Sequence, residues 1–510
     1  AMSESIELDI SDTNTFQRQY FIELVRSKAK EILKELEKSN VKAYSLKKDG
    51  LQIHTTLNLK QQKLLEAAVK NQVEHLQPLF EGEYDKNLPW ENPKLVQKLA
   101  RKTNDFKRWK VKKLSDEQIQ DSLTKSRPIK VIEKGQSVVK QMSIMDSLSY
   151  TLKKINAASI SVDPKNGRIL AYVGGADYRL SKYDIIKNAK RQVGSVFKPF
   201  VYASGLQNGL KPCDYISAKD ITYTNANNWN PKNASSKDEE DPHLNYSLKY
   251  ALTHSINTVS VKVLEQAGIS NTIKLANSMG IKSELKKEPS LALGAIDLNI
   301  KELAKAYSGF ANSGKIPELY FITKITTGTG EVIAEFDVKS PESSNLTSDE
   351  NRLILAMLEN VVDEGTARRL RSTYGFTQDM GGKTGTTQRN KDGWFAAVTP
   401  QLVNISWVGN NNPNISFKST SLGQGANTAL PIFGKMYQGM IRSNDFNSIT
   451  SANFQGLTNK QASALDCEDQ KRDGFFKRLF SKNKDKRKFK DEEKEEKKGF
   501  FKRLFGKKEK

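Results

Sequence analysis

The chain has 510 residues, 37% of them hydrophobic, and a formal net charge of +22. At roughly 100–200 residues per domain this length allows two to four units, with apolar residues enough for a packed core. No apolar run approaches the roughly 18 residues of a membrane span, and no signal peptide is present.

The opening "AMSES" does not read as a natural start; Ala1-Met2 is expected to be a cloning scar on a fragment, with targeting information outside this chain. From Lys471 to Lys510, 18 Lys/Arg stand against 8 Asp/Glu. A basic body with a basic tail points to an anionic surface, nucleic acid or lipid headgroups, or simply to solubility. Two cysteines, Cys213 and Cys467, lack metal-type spacing and support neither a disulfide framework nor a zinc site. Four scattered histidines argue against a His-rich metal centre.

In chain order, residues 16–39 space apolar residues helically among dense charges, as an exposed helix or a linker to something upstream. "LQIHTTLN" (51–58) alternates like a strand, and residues 59–76 read as an amphipathic helix. Residues 80–150 are charged and irregular and read as an insertion or small accessory lobe. "AASISVDPKNGRILAYVGG" from 157 is two apolar stretches around a turn, a hairpin signal. A helix-rich region follows to about 315, with a break at His254–Asn257. A second hairpin spans 392–410. Strands at both ends with helices between predict an α+β fold, an antiparallel sheet backed by helices. After about 445 the pattern fades, and "GFFKRLF" appears twice, at 474–480 and 499–505. Its apolar residues gather on one helical face with Lys-Arg between, as in a membrane-surface segment or partner contact; a solvated tail is the plain alternative.

"RQVGSVFKPF" (191–200) places Ser195 and Lys198 three residues apart. Ser-x-x-Lys also occurs at Ser27, Ser45, Ser122 and Ser137, so the pair alone decides nothing. "SIN" (255–257) sits at the helix break, and Ser-x-Asn recurs at 343, 451 and 481. "KTG" (383–385) occurs once, inside "GGKTGTT" (381–387). Ser-x-x-Lys, Ser-x-Asn and Lys-Thr-Gly in this order are the set shared by penicillin-binding proteins and serine β-lactamases. Each residue alone reads equally as a cap, a turn or a solvated lysine; the ordered set does not.

The chemistry accounts for the residue types. A serine hydroxyl needs a neighbouring base, and Lys198, one helical turn from Ser195, can take its proton. That lysine must lose its own proton first, through burial or a nearby cation such as Lys383. Ser255 is expected to relay a proton to the leaving amine and Asn257 to hold Lys198 and a substrate amide. Lys383, Thr384 and Thr386 are expected to bind a carboxylate, with Gly385 allowing close approach. The backbone N–H groups of Ser195 and Thr386 would form the oxyanion hole.

Beyond these motifs the chain resembles the transpeptidase part of a class A (bifunctional) penicillin-binding protein over roughly 51–80 and 145–440. "LQIHTTLNLKQQ", "SVDPKNGRILAYVGGADY", "WNPKN", "YALTHSINT", "PSLALGAIDL", "LAKAYSGFANSG", "DEGTA" and "DGWFAAVTP" carry the resemblance. It implies a five-stranded antiparallel sheet flanked by helices in a domain at 51–445. Residues 1–50 would be an inter-domain linker remnant, 80–150 an accessory insertion and 446–510 a basic, disordered or amphipathic tail. It also implies a D,D-transpeptidase that acylates its serine with peptidoglycan stem peptides ending in D-Ala-D-Ala, releases D-Ala and passes the acyl group to an amine. β-Lactams would acylate the same serine, no metal or cofactor would be needed, and the domain would face the periplasm. The family's glycosyltransferase signature is absent here, so that domain and a membrane anchor would precede residue 1. Nucleic acid then falls away as a partner of the tail, leaving lipid, wall polymer or wall protein at 474–505.

The family usually carries Pro at the position of Val193 and a Phe-Asn-Arg-Ala-like run where "YDII" (183–186) stands. Both changes bear on loop shape rather than on chemistry. Three other readings share the motifs. A class A β-lactamase needs a Glu-x-x-Leu-Asn after Ser-x-Asn; "DPHLN" (241–245) begins with Asp and comes before it. A D,D-carboxypeptidase differs only in using water, and a sensor or scaffold domain would acylate without turnover.

Overall fold

The computed structural model describes residues 18–39, 42–133, 135–233, 241, 243–474 and 486–491. Helix α1 (Arg18–Lys38) is no free linker. It buries Tyr20 and Phe21 in the main core and packs Ala29 and Ile32 against Ile322 and Ile325. Tyr20 donates to the Ser181 carbonyl at 2.5 Å, and Arg18 pairs with Glu66 at 3.2 Å. Its charges had hidden a narrow apolar stripe. Strand β1 (Gln52–Thr55) runs antiparallel to residues 322–326. Helix α2 (Leu59–Gly82) starts at Asn58, whose side chain accepts from the Gln61 N–H.

Residues 80–150, expected to be irregular, hold capped elements. These are α3 (Pro93–Ala100), α4 (Asn104–Val111), α5 (Asp116–Thr124), the β2–β3 hairpin (Arg127–Glu133, Gln136–Met142) and α6 (Ile144–Leu152). Asn92, Thr103, Ser115 and Ser143 each cap one helix, and Ala100, Ile119, Leu123 and Ile144 form a small core of their own. The helices are too short and polar outside for periodicity to reveal them.

The two predicted hairpins meet in one sheet. Strands β4 (Ile155–Val162) and β5 (Ile169–Val173) come from the first. After these come the buried helix α7 (Lys198–Gln207), α8 (Leu248–Thr253), α9 (Asn257–Ala267), α10 (Ile269–Ser278), α11 (Ile300–Ala311) and α12 (Ser348–Asp363). With β6 (Gly381–Thr386), β7 (Asp392–Val398) and β8 (Val403–Asn410), the order is β6-β7-β8-β4-β5, antiparallel throughout. The period of two sends alternate residues to opposite faces. Ala158, Ile160, Trp394, Ala396 and Ile405 enter one core with Phe200, Val259, Leu303 and Ile354 of the helices. Ala157, Phe395, Ala397 and Val408 enter the other, under α2 and α13 (Leu430–Ile441). Both faces are covered, which is why the strands are buried along their lengths.

The C-terminal region departs from the expected tail. Cys213 and Cys467 form a disulfide across a sequence separation of 254, with Cα atoms 5.6 Å apart. Spacing could not show this, because tertiary folding alone brings the two together. Beyond it, Gln470–Arg472 pairs antiparallel with Leu244–Ser247, which also pairs with Tyr215–Ser217. Residues 486–487 pair in parallel with Thr222–Tyr223. These segments hold by backbone pairing and covalent linkage rather than by apolar periodicity. Apart from Gly474, both GFFKRLF copies lie outside the described residues.

Candidate active site

The three motifs converge between the edge strand β6 and helices α7 and α9. Ser195 lies in a 3-10 turn, Gly194–Phe197, that runs directly into α7, whose first residue is Lys198. Gly194 takes φ +58°, and a Cβ there would lie 2.8 Å from the Thr386 carbonyl oxygen. The serine turn therefore lies against the end of β6, and only glycine permits that approach. Gly385 has the reciprocal contact, with its hypothetical Cβ 2.9 Å from the Val193 carbonyl. Val193, standing where the resemblance implies proline, is fully buried at the entry to this turn. Its N–H donates to the Ile296 carbonyl at 3.0 Å, a bond proline lacks.

Lys198 is fully buried. Its Nζ donates to the Ser255 carbonyl at 2.6 Å, to Ser255 Oγ at 3.1 Å and to Asn257 Oδ1 at 2.7 Å. Burial lowers its pKa well below the usual lysine value, and Lys383 lowers it further. A charged Lys198 commits all three protons to the Ser-x-Asn loop. A neutral amine has only two to give, leaving its lone pair free to accept a proton.

The Ser-x-Asn loop is itself braced. Ser255 sits at φ +59°, a conformation non-glycine residues seldom adopt. Asn233 Oδ1 accepts from the N–H groups of Asn257 (2.7 Å) and Thr258 (3.1 Å) at the start of α9, and Asn257 Nδ2 donates to the Lys232 carbonyl at 2.7 Å. The side-chain amide of Asn257 is thus held on both atoms.

Lys383 is equally buried, donates to the Thr384 carbonyl at 3.1 Å, and is pulled down to about 7 by burial. Thr384 Oγ1 lies 2.7 Å from Thr366 Oγ1, and Thr386 Oγ1 accepts from the Gly425 N–H at 3.1 Å. Both hydroxyl oxygens are held in place, and a cationic Lys383 beside them offers donors to an anion. The open edge of β6 faces the serine turn, because β7 covers its other side.

Every residue expected from the three motifs lies in this cluster. Others were not anticipated as site residues. Tyr307, buried on α11, donates to the Val196 carbonyl at 2.6 Å and braces the serine turn. Asp392 accepts from Arg191 Nε (2.7 Å), Trp407 Nε1 (2.9 Å) and Thr387 Oγ1 (3.2 Å), tying the strand before the serine to the sheet. "LAKAYSGF" and "WNPKN" contain Tyr307 and Asn233, but a tyrosine on an apolar helix face and an asparagine two residues after a proline look like core and turn.

Residues 157–423, more than half of the chain, match the family described as the penicillin binding protein transpeptidase domain. Penicillin-binding protein 1A of Aquifex aeolicus is 36% identical over 299 residues, covering 57% of this chain and 39% of that protein. Penicillin-binding protein 1A of Rickettsia felis is 32% identical over 333 residues, covering 60% and 41%. This chain thus spans about two fifths of those relatives. Among solved structures, penicillin-binding protein 1A from Haemophilus influenzae shares the fold with a TM-score of 0.62 at 23% identity, covering 84% of this chain and 70% of that one. PonA1 from Mycobacterium tuberculosis has a TM-score of 0.57 at 18% identity, covering 84% and 92%. The motif geometry, the five-stranded sheet and the family match agree: the chain belongs to the penicillin-binding protein transpeptidase family.

Proposed function

We propose that this domain is a peptidoglycan D,D-transpeptidase working through an acyl-enzyme on Ser195. One observation carries the assignment of roles: a fully buried lysine with its pKa lowered, one turn after the serine and held by Ser255 and Asn257. Neutral Lys198 takes the hydroxyl proton as Ser195 Oγ attacks the carbonyl carbon of the penultimate D-Ala. The resulting oxyanion is held by the N–H groups of Ser195 and Thr386; one such donor is worth roughly 10²–10³ in rate. As the C–N bond breaks, the proton passes through Lys198 and Ser255 to the leaving D-Ala amine. An acceptor amine then attacks the ester, gives a proton back along the same route, and frees Ser195. Lys383, with Thr384 and Thr386, holds the terminal carboxylate of the donor peptide.

A β-lactam presents an amide carbonyl and a carboxylate to the same groups, which supports covalent inhibition at Ser195. The greater length of the relatives leaves room for a glycosyltransferase and an anchor in the parent protein, and the disulfide suits the periplasm. The basic repeats at 474–480 and 499–505 are the remaining candidate contact for a membrane surface or wall protein.

Fluorescent penicillin should label the chain and fail to label Ser195→Ala; no label on the unmutated chain refutes the assignment. Lipid II supplied with a glycosyltransferase should then yield cross-linked product. Cleaved but uncrosslinked stems would assign a carboxypeptidase, and labelling without turnover a sensor.

A further inference from the structure

Residues 486–491 lie in a groove built for them. The strand pair Thr222–Tyr223 with Lys486–Arg487 is extended by the Thr224 N–H donating to the Arg487 carbonyl at 2.9 Å. Both terminal nitrogens of the Arg487 guanidinium bond the carboxylate of Glu265, which is only 5% exposed, and the guanidinium lies over the Tyr223 ring. Asn225 holds the Phe489 backbone on both sides, accepting from its N–H at 2.7 Å and donating to its carbonyl at 3.0 Å. The Phe489 ring, 7% exposed, meets Tyr223 edge-on at 5.4 Å. The Lys490 N–H donates to Glu265 at 2.8 Å, and Asp491 accepts from the Ile269 N–H at 2.7 Å. An Arg-x-Phe-x-Asp strand is thus read at every second residue, the pattern of strand addition to a specific groove.

Two paths lead from this groove to one catalytic-loop residue. Glu265 is on α9, the helix that begins at Asn257, so the segment grips one end of an element whose other end holds Lys198. Ile269, bound by Asp491, opens the next helix. The second path is the loop after Tyr223. The Tyr223 N–H donates to the Trp229 carbonyl at 2.8 Å, Asn230 donates to Thr222 Oγ1 at 3.1 Å, and Asn233 accepts from the backbone N–H of Asn257 while the Lys232 carbonyl accepts from its side chain.

We propose that residues 486–491 are a positioning clamp: docked in the groove of Thr222–Asn225 and Glu265–Ile269, they hold Asn257, and through it Lys198, in the geometry that acylates Ser195. The proposal rests on the acyl-transfer reading above. Arg487 and Phe489 are positioning residues, since neither touches the reacting atoms. Displacement of a catalytic group by about 1 Å from a distant change costs on the order of 10²-fold in rate.

The test uses the full chain. Fluorescent-penicillin acylation should slow roughly 10- to 100-fold in Arg487→Ala/Phe489→Ala, with deacylation unchanged. A synthetic peptide of residues 484–492, added in trans, should bind the double variant by fluorescence anisotropy and restore the acylation rate; a scrambled peptide should do neither. Asp491→Ala, which removes a surface cap only, should give an intermediate rate. An unchanged rate in the double variant overturns the clamp, as does a slow rate that the bound peptide fails to restore. An unmutated chain that takes no label at Ser195 removes the acyl-transfer reading, and this one with it, a result distinct from equal labelling of both chains.

Discussion

Replacing Lys383 by Met should make the folded chain more stable while impairing its reaction. Burial takes Lys383 from the usual 10.5 down to about 7, and the side chain is fully enclosed. The unfolded chain keeps that proton up to about pH 10 and the folded chain gives it up near pH 7, so between these limits the unfolded state binds more protons and stability rises with pH. Burying this lysine therefore costs about 4 kcal/mol at pH 7, where it is half charged, and about 2 kcal/mol at pH 9, where it folds as the neutral amine. Methionine fills similar volume without charge. It loses the bond to the Thr384 carbonyl, an offset of about 1 kcal/mol that is the same at both pH values. Urea unfolding at pH 7 and pH 9 should show Lys383→Met more stable at pH 7, with an advantage about 2 kcal/mol smaller at pH 9. Other titrating groups are present in both chains and largely cancel, except Lys198, whose pKa rises without Lys383 and adds to the same pH-dependent advantage. A second readout comes from Lys198, whose pKa Lys383 helps to lower. Without that cation Lys198 keeps its proton to higher pH, so the rising limb of the acylation profile should move upward. Equal stability changes at both pH values, or a rising limb that stays in place, would refute the electrostatic account.

Tyr307→Phe should leave the buried Val196 carbonyl without its 2.6 Å donor, costing roughly 1–3 kcal/mol and slowing acylation; denaturant midpoints and labelling rates measure the two. Asp392→Ala strips Arg191 and Trp407 of their common acceptor and should cost about 3–5 kcal/mol, read as a lowered Tm. Breaking the disulfide in Cys213→Ser/Cys467→Ser reopens a long loop worth up to about 5 kcal/mol, and limited proteolysis should then cut first within residues 459–474.

Motif chemistry and strand alternation were open to reading because both are local. Ser195, Lys198, Ser255, Asn257 and Lys383 are defined by spacing within three short stretches and by their order. The hairpins at 155–173 and 392–410 announce themselves through apolar runs around turns. What stayed hidden depends on partners far along the chain. Asn233 becomes a brace only because α9 starts beside it, and Asp392 only because Arg191 and Trp407 arrive from different strands. The disulfide and the docking of α1 are hidden for the same reason. Charge density made α1 look like a linker, although one face of it carries Tyr20, Phe21 and Ile32 into apolar surroundings.

The seam between β4 and β8 sets an order of assembly. Residues 155–162 pair with residues 403–410, so the middle of the sheet cannot close until the ribosome has passed residue 410. Until then β4, buried along its whole length in the finished domain, presents an unpaired apolar edge. Such long-range pairing folds slowly and leaves intermediates open to aggregation. The serine turn and its lysine are made early, yet the strand end against which Gly194 packs comes nearly two hundred residues later. The cluster around Ser195 is therefore assembled only after the sheet is complete, and a chain truncated before β6 carries Ser195 and Lys198 without the Lys-Thr-Gly strand they pack against.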